Sequence, residues 1–277
     1  MKNTKPQACC VIGYPIRHSL SPVIHNTLYE LYGIACEYGI REVEPGALGS
    51  FVAEIPAKNI CGFNVTMPYK KDIIPYLANT PQGSSVNSVA VRDGKLAGIS
   101  TDEAGFLKSL QEKGIDYKGQ KIVFIGAGAV AGALARDSAA KGAAQITLLN
   151  RSAGHARAIA AEVRGQADVF EAGNTYACIQ NCDILINTTP QGMAGCPAFE
   201  SFTFLKNVNP AALVCDLIYR PLETDFLKQA ASQGNRTLGG ISMLIWQAFF
   251  AFHHFFGILP NEQDKEHVLN KIKDHLG

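Results

Sequence analysis

A glycine-rich turn between an apolar run and an alanine-rich segment is the clearest candidate for binding a phosphorylated cofactor. Its six residues are Gly126, Ala127, Gly128, Ala129, Val130 and Ala131. Between a strand and a helix, the first glycine permits a tight turn and the second lets backbone approach a pyrophosphate, while Ala131 allows close helix packing. The turn predicts dinucleotide binding, although similar turns also occur in α/β proteins that bind no nucleotide.

Three polar residues, Asn150, Arg151 and Ser152, follow the next apolar run. An NAD-binding domain usually places a carboxylate there to hold the ribose hydroxyls. Arg151 can instead neutralise a 2′-phosphate, and the two flanking side chains can add hydrogen bonds. The segment therefore favours NADP, with NAD as a possible secondary cofactor. A solvated surface arginine would produce the same pattern.

A second group of polar residues lies around Asn64, Thr66 and Lys70. Asn64 and Thr66 alternate with apolar residues, so they are predicted to share one face of a strand. Pro68 then begins a predicted helical turn that would bring Lys70 back over the strand end. The pattern predicts a polar pocket, but an exposed lysine pair at a helix start fits it equally well.

Further hydroxyl, amide and carboxylate groups stand near predicted element ends. Ser19 and Ser21 precede or begin a helix, where free N–H groups suit a carboxylate, and either serine could instead be an N-cap. Asp102 follows a predicted strand and is also a candidate helix cap. Asn87 follows another apolar run, and Gln247 is an amide on an otherwise apolar helix face.

The elements that must position these residues change character along the chain. The first hundred residues predict mixed strands, with helices at 21–32, 46–56 and 68–77 and a hairpin through Asp93-Gly94. From residue 121, strands at 121–125, 145–149, 183–187 and 212–216 alternate with helices, which predicts a parallel sheet. From about Ser242 the chain is predicted to be helical.

Composition excludes several classes of protein. The 277 residues carry a net charge of +1 and are 47% hydrophobic, which is typical of a folded globular protein with no global attraction for nucleic acid or acidic membranes. The eight cysteines form no C-x-x-C pair, so we expect reduced, buried thiols and no metal site. No export signal or membrane span is visible, and we expect a cytoplasmic protein.

Taken together, the motifs resemble the shikimate dehydrogenase family over nearly the whole chain. The segments that carry the resemblance are Val11–Pro22, Asn64–Lys71, Val86–Val89, Thr101-Asp102, Gly126–Gly128, Asn150–Ser152, Ile186–Met193, Asp216–Tyr219 and Met243–Ala248. The resemblance implies NADP-dependent, reversible reduction of 3-dehydroshikimate to shikimate in aromatic amino-acid (chorismate) biosynthesis. It also implies a mixed-sheet α/β substrate domain, 1–104 completed by 240–277, and a Rossmann-type doubly wound NADP domain, 105–239, with the active site in the cleft between them.

The resemblance also implies roles for individual residues. Lys70 and Asp102 would be the catalytic pair. The substrate would be held by Ser19, Ser21, Asn64, Thr66, Asn87, Asp102, Tyr219 and Gln247. Besides the glycine turn, the cofactor would be held by Asn150, Arg151, Ser152, His155, Leu217 and Gly240. The protein would be a monomer or homodimer that binds small molecules, neither nucleic acid nor membrane.

Several departures from the family pattern leave the substrate open. Ser100, Glu103 and Ser242 replace residues usual beside substrate and nicotinamide, as does Ser85 before the Val-Asn pair. A quinate/shikimate or aminoshikimate dehydrogenase paralogue is therefore an alternative, and a nucleotide-binding regulator without catalysis is a more remote one. Retention of both Lys70 and Asp102 argues against the regulator.

Overall fold

The computed structural model describes residues 7–79, 85–206 and 208–276, which form two units. The first unit comprises Met1–Gly105 and Ile245–Gly277, and the second comprises Phe106–Leu244. Both boundaries fall inside helices that begin in one unit and end in the other. The assignment of a separate binding role to each predicted domain remains a prediction.

The first unit is built on a five-stranded mixed sheet in the order β2-β1-β3-β4-β5. Its elements are β1 (Gln7–Gly13), α1 (Ser21–Tyr32), β2 (Cys36–Glu42), α2 (Leu48–Glu54), β3 (Ile60–Val65), β4 (Ser88–Arg92) and β5 (Lys95–Ile99). Strands β2, β1 and β3 are parallel, β4 pairs antiparallel with β3, and β5 pairs antiparallel with β4. Helix α3 (Asp102–Gln111) leads into the second unit.

The second unit contains a six-stranded sheet, parallel throughout, in the order β11-β10-β9-β6-β7-β8. Its elements are β6 (Lys121–Ile125), α4 (Ala129–Ala140), β7 (Gln145–Asn150), α5 (Ala153–Val163), β8 (Gln166–Val169), α6 (Ala177–Gln180), β9 (Ile184–Asn187), β10 (Leu213–Asp216), α7 (Asp225–Ser232) and β11 (Arg236–Gly239). Read from β8, this order is that of the Rossmann fold. The predicted pairing of one mixed with one parallel sheet is therefore confirmed.

Two C-terminal helices, α8 (Gly240–Phe256) and α9 (Glu262–Leu276), complete the chain. In the first unit, α8 and α1 bring aromatic rings against one face of the sheet. His25 of α1 stacks on Tyr38 of β2 with ring centroids 4.2 Å apart, and Tyr29 lies edge-on to Phe256 at 5.5 Å. In the three described stretches, no helix is long and apolar enough to cross a membrane.

Local expectations were correct where turn chemistry was strong and wrong where packing decided. Asp93 and Gly94 both have positive φ, 50° and 73°, as the predicted hairpin requires. Ser21 is not an N-cap, because the helix cap is Leu20 and Ser21 is the first helical residue. The helix predicted at 68–77 is replaced by turns and a three-residue 3-10 helix, Ile74–Tyr76.

Candidate active site

A lysine–carboxylate pair forms the centre of the candidate site in the first unit. Lys70 Nζ donates to Asp102 Oδ2 at 2.5 Å, and only 15% and 14% of the two side chains are exposed. Lys70 lies in the turn after β3, where its carbonyl accepts the Val86 N–H at 2.8 Å. Asp102 begins α3, a position where the helix dipole favours a negative charge. Sequence motifs 32 residues apart thus form one ion pair.

Asn87 connects this pair to the rest of the network. Its Oδ1 accepts the Thr101 N–H at 2.8 Å, and because a backbone N–H can only donate, the orientation of the amide is determined. Its Nδ2 consequently donates to Asp102 Oδ1 at 2.8 Å and to Gln247 Oε1 at 3.3 Å. Both oxygens of the Asp102 carboxylate are therefore occupied by donors, which holds the carboxylate in one orientation.

Gly105 allows the start of α3 to lie directly against α8. A Cβ at this position would be 2.8 Å from the Gln247 backbone nitrogen, which is closer than real Cβ contacts come. This close approach places the Gln247 amide beside the Asn87 side chain. A glycine one turn after the carboxylate is therefore a structural requirement of the site.

Asn64 extends the network toward the two serines. Its Oδ1 accepts the Tyr38 hydroxyl at 2.6 Å, and its Nδ2 donates to the Asn87 carbonyl at 3.0 Å. Burial raises the pKa of Tyr38 well above its ordinary value, which keeps the hydroxyl protonated as a donor. Ser21 also interacts with this phenol and accepts from the Ser19 hydroxyl at 3.1 Å.

Sequence reasoning missed Tyr38, because a tyrosine in a strand is ordinary and its partner is 26 residues away. Thr66 differs from its neighbours in the network. It follows β3, is half-buried, and packs its methyl group where a Cβ on Gly13 would be 2.5 Å away. The structure therefore places Thr66 next to the β1 end but gives its hydroxyl no described hydrogen bond.

The glycine turn of the second unit connects β6 to α4. Gly126 has φ 108°, and a Cβ there would lie 2.5 Å from Thr188 Oγ1. Gly128 caps α4 and has open space where its Cβ would be. Ala131 is fully buried, while Ala129 begins the helix at the surface and Ala127 and Val130 are half-buried. The exposed first turn offers N–H donors without helical partners, which suits a pyrophosphate.

The polar segment at the end of β7 exposes a positively charged side chain beside the start of α5. Asn150 Nδ2 donates to the Ser152 carbonyl at 2.9 Å, and Ser152 caps α5. Arg151 and His155 are exposed, and Arg151 forms no ion pair with any residue in the described part of the chain. The Ser152 side chain makes no capping hydrogen bond. An exposed arginine beside this helix N-terminus fits a 2′-phosphate, so the residues present fit NADP.

A buried polar network at the ends of β9 and β10 was missed by sequence reasoning. Asn187 Nδ2 donates to Asp216 Oδ1 at 3.0 Å, and Thr224 donates to Asp216 Oδ2 at 2.6 Å. Burial raises the pKa of Asp216 to about 6, against the opposing effect of these hydrogen bonds. The available signal was a polar residue ending each of two adjacent parallel strands, next to the glycine turn.

Leu217 and Gly240 are brought together at the end of the same sheet. A Cβ on Gly240 would lie 2.2 Å from the Leu217 carbonyl oxygen, and the Gly240 N–H donates to Ile218 at 3.1 Å. Tyr219 lies in the same loop, where burial raises its pKa. The three predicted residues thus share one loop-to-helix junction in the second unit.

The two units also match two family models. Residues 11–90 match the shikimate dehydrogenase substrate binding domain, and residues 108–195 match shikimate/quinate 5-dehydrogenase. A shikimate dehydrogenase (NADP(+)) from Geobacillus kaustophilus is 34% identical over 257 residues, covering 91% of this chain and 93% of the relative. The chain belongs to the shikimate dehydrogenase family.

Solved structures of this family and of a related reductase share the fold. A shikimate dehydrogenase solved in complex with NADP+ superposes with a TM-score of 0.86 at 33% identity, with 98% of each chain covered. The ligand-free 5-ketofructose reductase of Gluconobacter sp. strain CHM43 gives a TM-score of 0.85 at 28% identity, covering 97% of this chain and 99% of that one. The fold is thus shared by proteins named for different keto substrates.

Proposed function

We propose that the protein is an NADP-dependent shikimate dehydrogenase that interconverts 3-dehydroshikimate and shikimate. The observation that carries the proposal is the shielded Lys70–Asp102 pair with its fixed amide neighbours. A lysine that faces a carboxylate at 2.5 Å, rather than solvent, is positioned to exchange a proton with a bound alcohol or ketone. The family relatives named for NADP-dependent shikimate oxidation support the same assignment.

We propose that the first unit binds the substrate through the residues of its hydrogen-bonded network. Ser19 and Ser21 would hold the carboxylate, since their hydroxyls lie 3.1 Å apart at the start of α1. The ring hydroxyls would be held by Asn64, Thr66, Asn87, Asp102 and Gln247, and a substrate-binding role for Tyr219 stays a prediction from the family resemblance. The Asn64 and Asn87 amides are held in one orientation by their hydrogen bonds, so they suit hydroxyl recognition because they lose little freedom on binding.

We propose that the second unit binds NADP. The six residues of the glycine turn would bind the pyrophosphate. The 2′-phosphate would be bound by Asn150, Arg151, Ser152 and His155. The nicotinamide would lie beside Leu217 and Gly240. The bound cofactor supplies or accepts the hydride. Arg151 favours NADP over NAD, because its uncompensated charge is most useful against a phosphate.

Lys70 would donate the proton to the substrate during reduction and accept it during oxidation. During reduction, negative charge develops on the substrate oxygen, and the ammonium group can stabilise that charge and donate its proton. Asp102 would keep the ammonium aimed at this oxygen, since Asn87 occupies its other carboxylate oxygen. During oxidation, the amine of Lys70 would accept the proton that the substrate hydroxyl loses.

A substrate-by-cofactor matrix tests the proposal. The full chain is assayed by NAD(P)H absorbance with shikimate or quinate against NADP or NAD, alongside reduction of 5-ketofructose. We expect the highest kcat/KM with shikimate and NADP. A Lys70→Ala protein purified in parallel controls for contaminating host dehydrogenase. No turnover with shikimate, or a higher kcat/KM with another substrate, contradicts the proposal.

Reduction of a different ketone is the second candidate. The 5-ketofructose reductase shares this fold over nearly its whole length. Ser100, which replaces a residue usual beside the substrate, donates its hydrogen bond to Glu103 Oε2 at 2.5 Å. This local difference would alter recognition of one ring position.

A cytoplasmic location and a monomeric or homodimeric state remain predictions.

A further inference from the structure

Three cysteines from three neighbouring strands meet on the face of the first sheet that α1 and α8 cover. Cys9 lies in β1, Cys36 in β2 and Cys61 in β3. The Cys9 and Cys61 sulfurs are 3.3 Å apart, the Cys36 and Cys9 sulfurs are 3.8 Å apart, and all three lie within 4.8 Å of one another. We call this group the thiol cluster.

The strand register explains how the cluster forms. Cys36 pairs with Gln7, two positions before Cys9 along the same pleat, so both side chains point to one face. Between β1 and β3 the register shifts after Ala8, where Ile60 and Gly62 pair with successive residues of β1. This irregularity leaves Cys61 as the extra residue, and a bulge of this kind can re-aim a side chain. Its sulfur turns toward Cys9.

The spacing of the sulfurs matches a trithiolate metal site. A zinc–sulfur bond of about 2.3 Å places sulfur ligands of a tetrahedral ion about 3.8 Å apart. Two of the three separations differ from this value by 0.5 Å or less. Cys9 is buried, whereas Cys36 and Cys61 are half-buried, so an ion could enter from their side and take a fourth ligand from solvent.

The buried hydroxyl of Tyr29 is an independent observation that favours a negatively charged ligand set in the cluster. Tyr29 is 3% exposed, and its hydroxyl has no hydrogen-bond partner of normal geometry in the described chain. Burial and the neighbouring Cys9 thiol both raise the pKa of Tyr29, so this protonated hydroxyl is next to the cluster. A metal-bound thiolate is a stronger hydrogen-bond acceptor than a thiol, so metal binding to the cluster would give this donor a partner.

We propose that Cys9, Cys36 and Cys61 form a binding site for one thiophilic d10 metal ion, Zn²⁺ or Cu⁺. Thiolate ligands select these ions over harder cations such as Mg²⁺ or Ca²⁺. Binding replaces thiol protons with the metal, so protons are released as the ion enters. The cluster lies at the amino ends of β1–β3, whereas Asn64 lies near the opposite end of β3, so metal binding is separate from the proposed catalysis.

Metal titration of the reduced full-length chain tests this site. The protein is stripped with a chelator, then titrated with Zn²⁺ against a chromophoric chelator, with Cu⁺ under anaerobic conditions, and with Co²⁺ for thiolate charge-transfer absorption. We expect one ion per chain. Cys36→Ser and Cys61→Ser should each weaken binding by more than about 100-fold, beyond the 10–100-fold typical of losing a group that only supports a ligand.

Matched variants separate this site from adventitious binding. Cys196 is also half-buried but lies in the second unit outside the cluster, so Cys196→Ser should bind metal like the wild type. Tyr29→Phe should lower the affinity by about 10–100-fold without changing the stoichiometry. Circular dichroism verifies folding. Absence of stoichiometric binding by the reduced wild type, or equal binding by the Cys36, Cys61 and Cys196 variants, overturns the proposal.

Discussion

Replacing Lys70 with alanine, with Lys71 as a matched control, tests the catalytic assignment most directly. Lys70 and Lys71 are adjacent in the sequence but differ in their structural environment. Lys70 is 15% exposed and bound to Asp102, whereas Lys71 is exposed and makes no ion pair with a described residue. We expect Lys70→Ala to lower kcat by about 10²–10⁴-fold, the usual contribution of a positioned general acid or base. KM for shikimate should change little, because the proposed carboxylate and hydroxyl contacts remain.

This decrease corresponds to about 3–5 kcal/mol of transition-state stabilisation. Initial rates of NADPH formation across shikimate concentrations give both constants, and circular dichroism verifies that the variant is folded. Lys71→Ala should keep near wild-type values. A Lys70→Ala protein that retains most of its kcat, or equal losses of activity in the two variants, would contradict the catalytic role of Lys70.

Three further predictions concern the second unit. Gly126→Ala should lower the unfolding temperature, because its φ of 108° and the 2.5 Å approach of a neighbouring hydroxyl forbid a Cβ. Gly128→Ala has open space for a Cβ, so it should keep the wild-type unfolding temperature and weaken only NADP binding, which titration with NADP would measure. Arg151→Ala should raise KM for NADP by about 10–100-fold, from the loss of about 1.5–3 kcal/mol of charged hydrogen bonding, with KM for NAD unchanged; equal losses would contradict the role. Because burial raises the pKa of Asp216 from 3.8 to about 6, the folded state binds the proton more tightly than the unfolded state. The unfolding free energy should therefore decrease by up to about 3 kcal/mol between about pH 4 and pH 6 relative to Asp216→Asn, in denaturant titrations; identical pH profiles would contradict the shift.

The predicted fold followed from patterns that are local in the chain. Apolar runs ending in glycine or polar residues identified β6, β7, β9 and β10, and their alternation with helices implied the parallel sheet. The edge strands β8 and β11 were not predicted. Gln166–Val169 is largely exposed and lacks a continuous apolar run, so its strand character comes from pairing with β7.

The candidate site could be predicted only as a set of separate motifs. Lys70 and Asp102 were selected by motif position, but their contact depends on the turn after β3 and on the start of α3. The role of Tyr38 depends on β2 lying beside β1, which no local pattern encodes. The thiol cluster was missed for the same reason, since cysteine spacing rules detect ligands on one loop and not on three strands. Four of the eight cysteines are half-buried, which corrects the expectation that the thiols are buried.

The division of the first unit into two chain segments has a consequence for synthesis on the ribosome. The strands β1–β5 emerge before Phe106–Leu244, and Ile245–Gly277 emerges after it. This later segment supplies the ring of Phe255 against Gly62 and the partners of His25 and Tyr29. At about 5–20 residues per second, translation of the intervening Phe106–Leu244 takes on the order of ten seconds. During that interval the aromatic face of the nascent sheet lacks its cover, so the Rossmann unit can finish folding before the unit that precedes it in the chain.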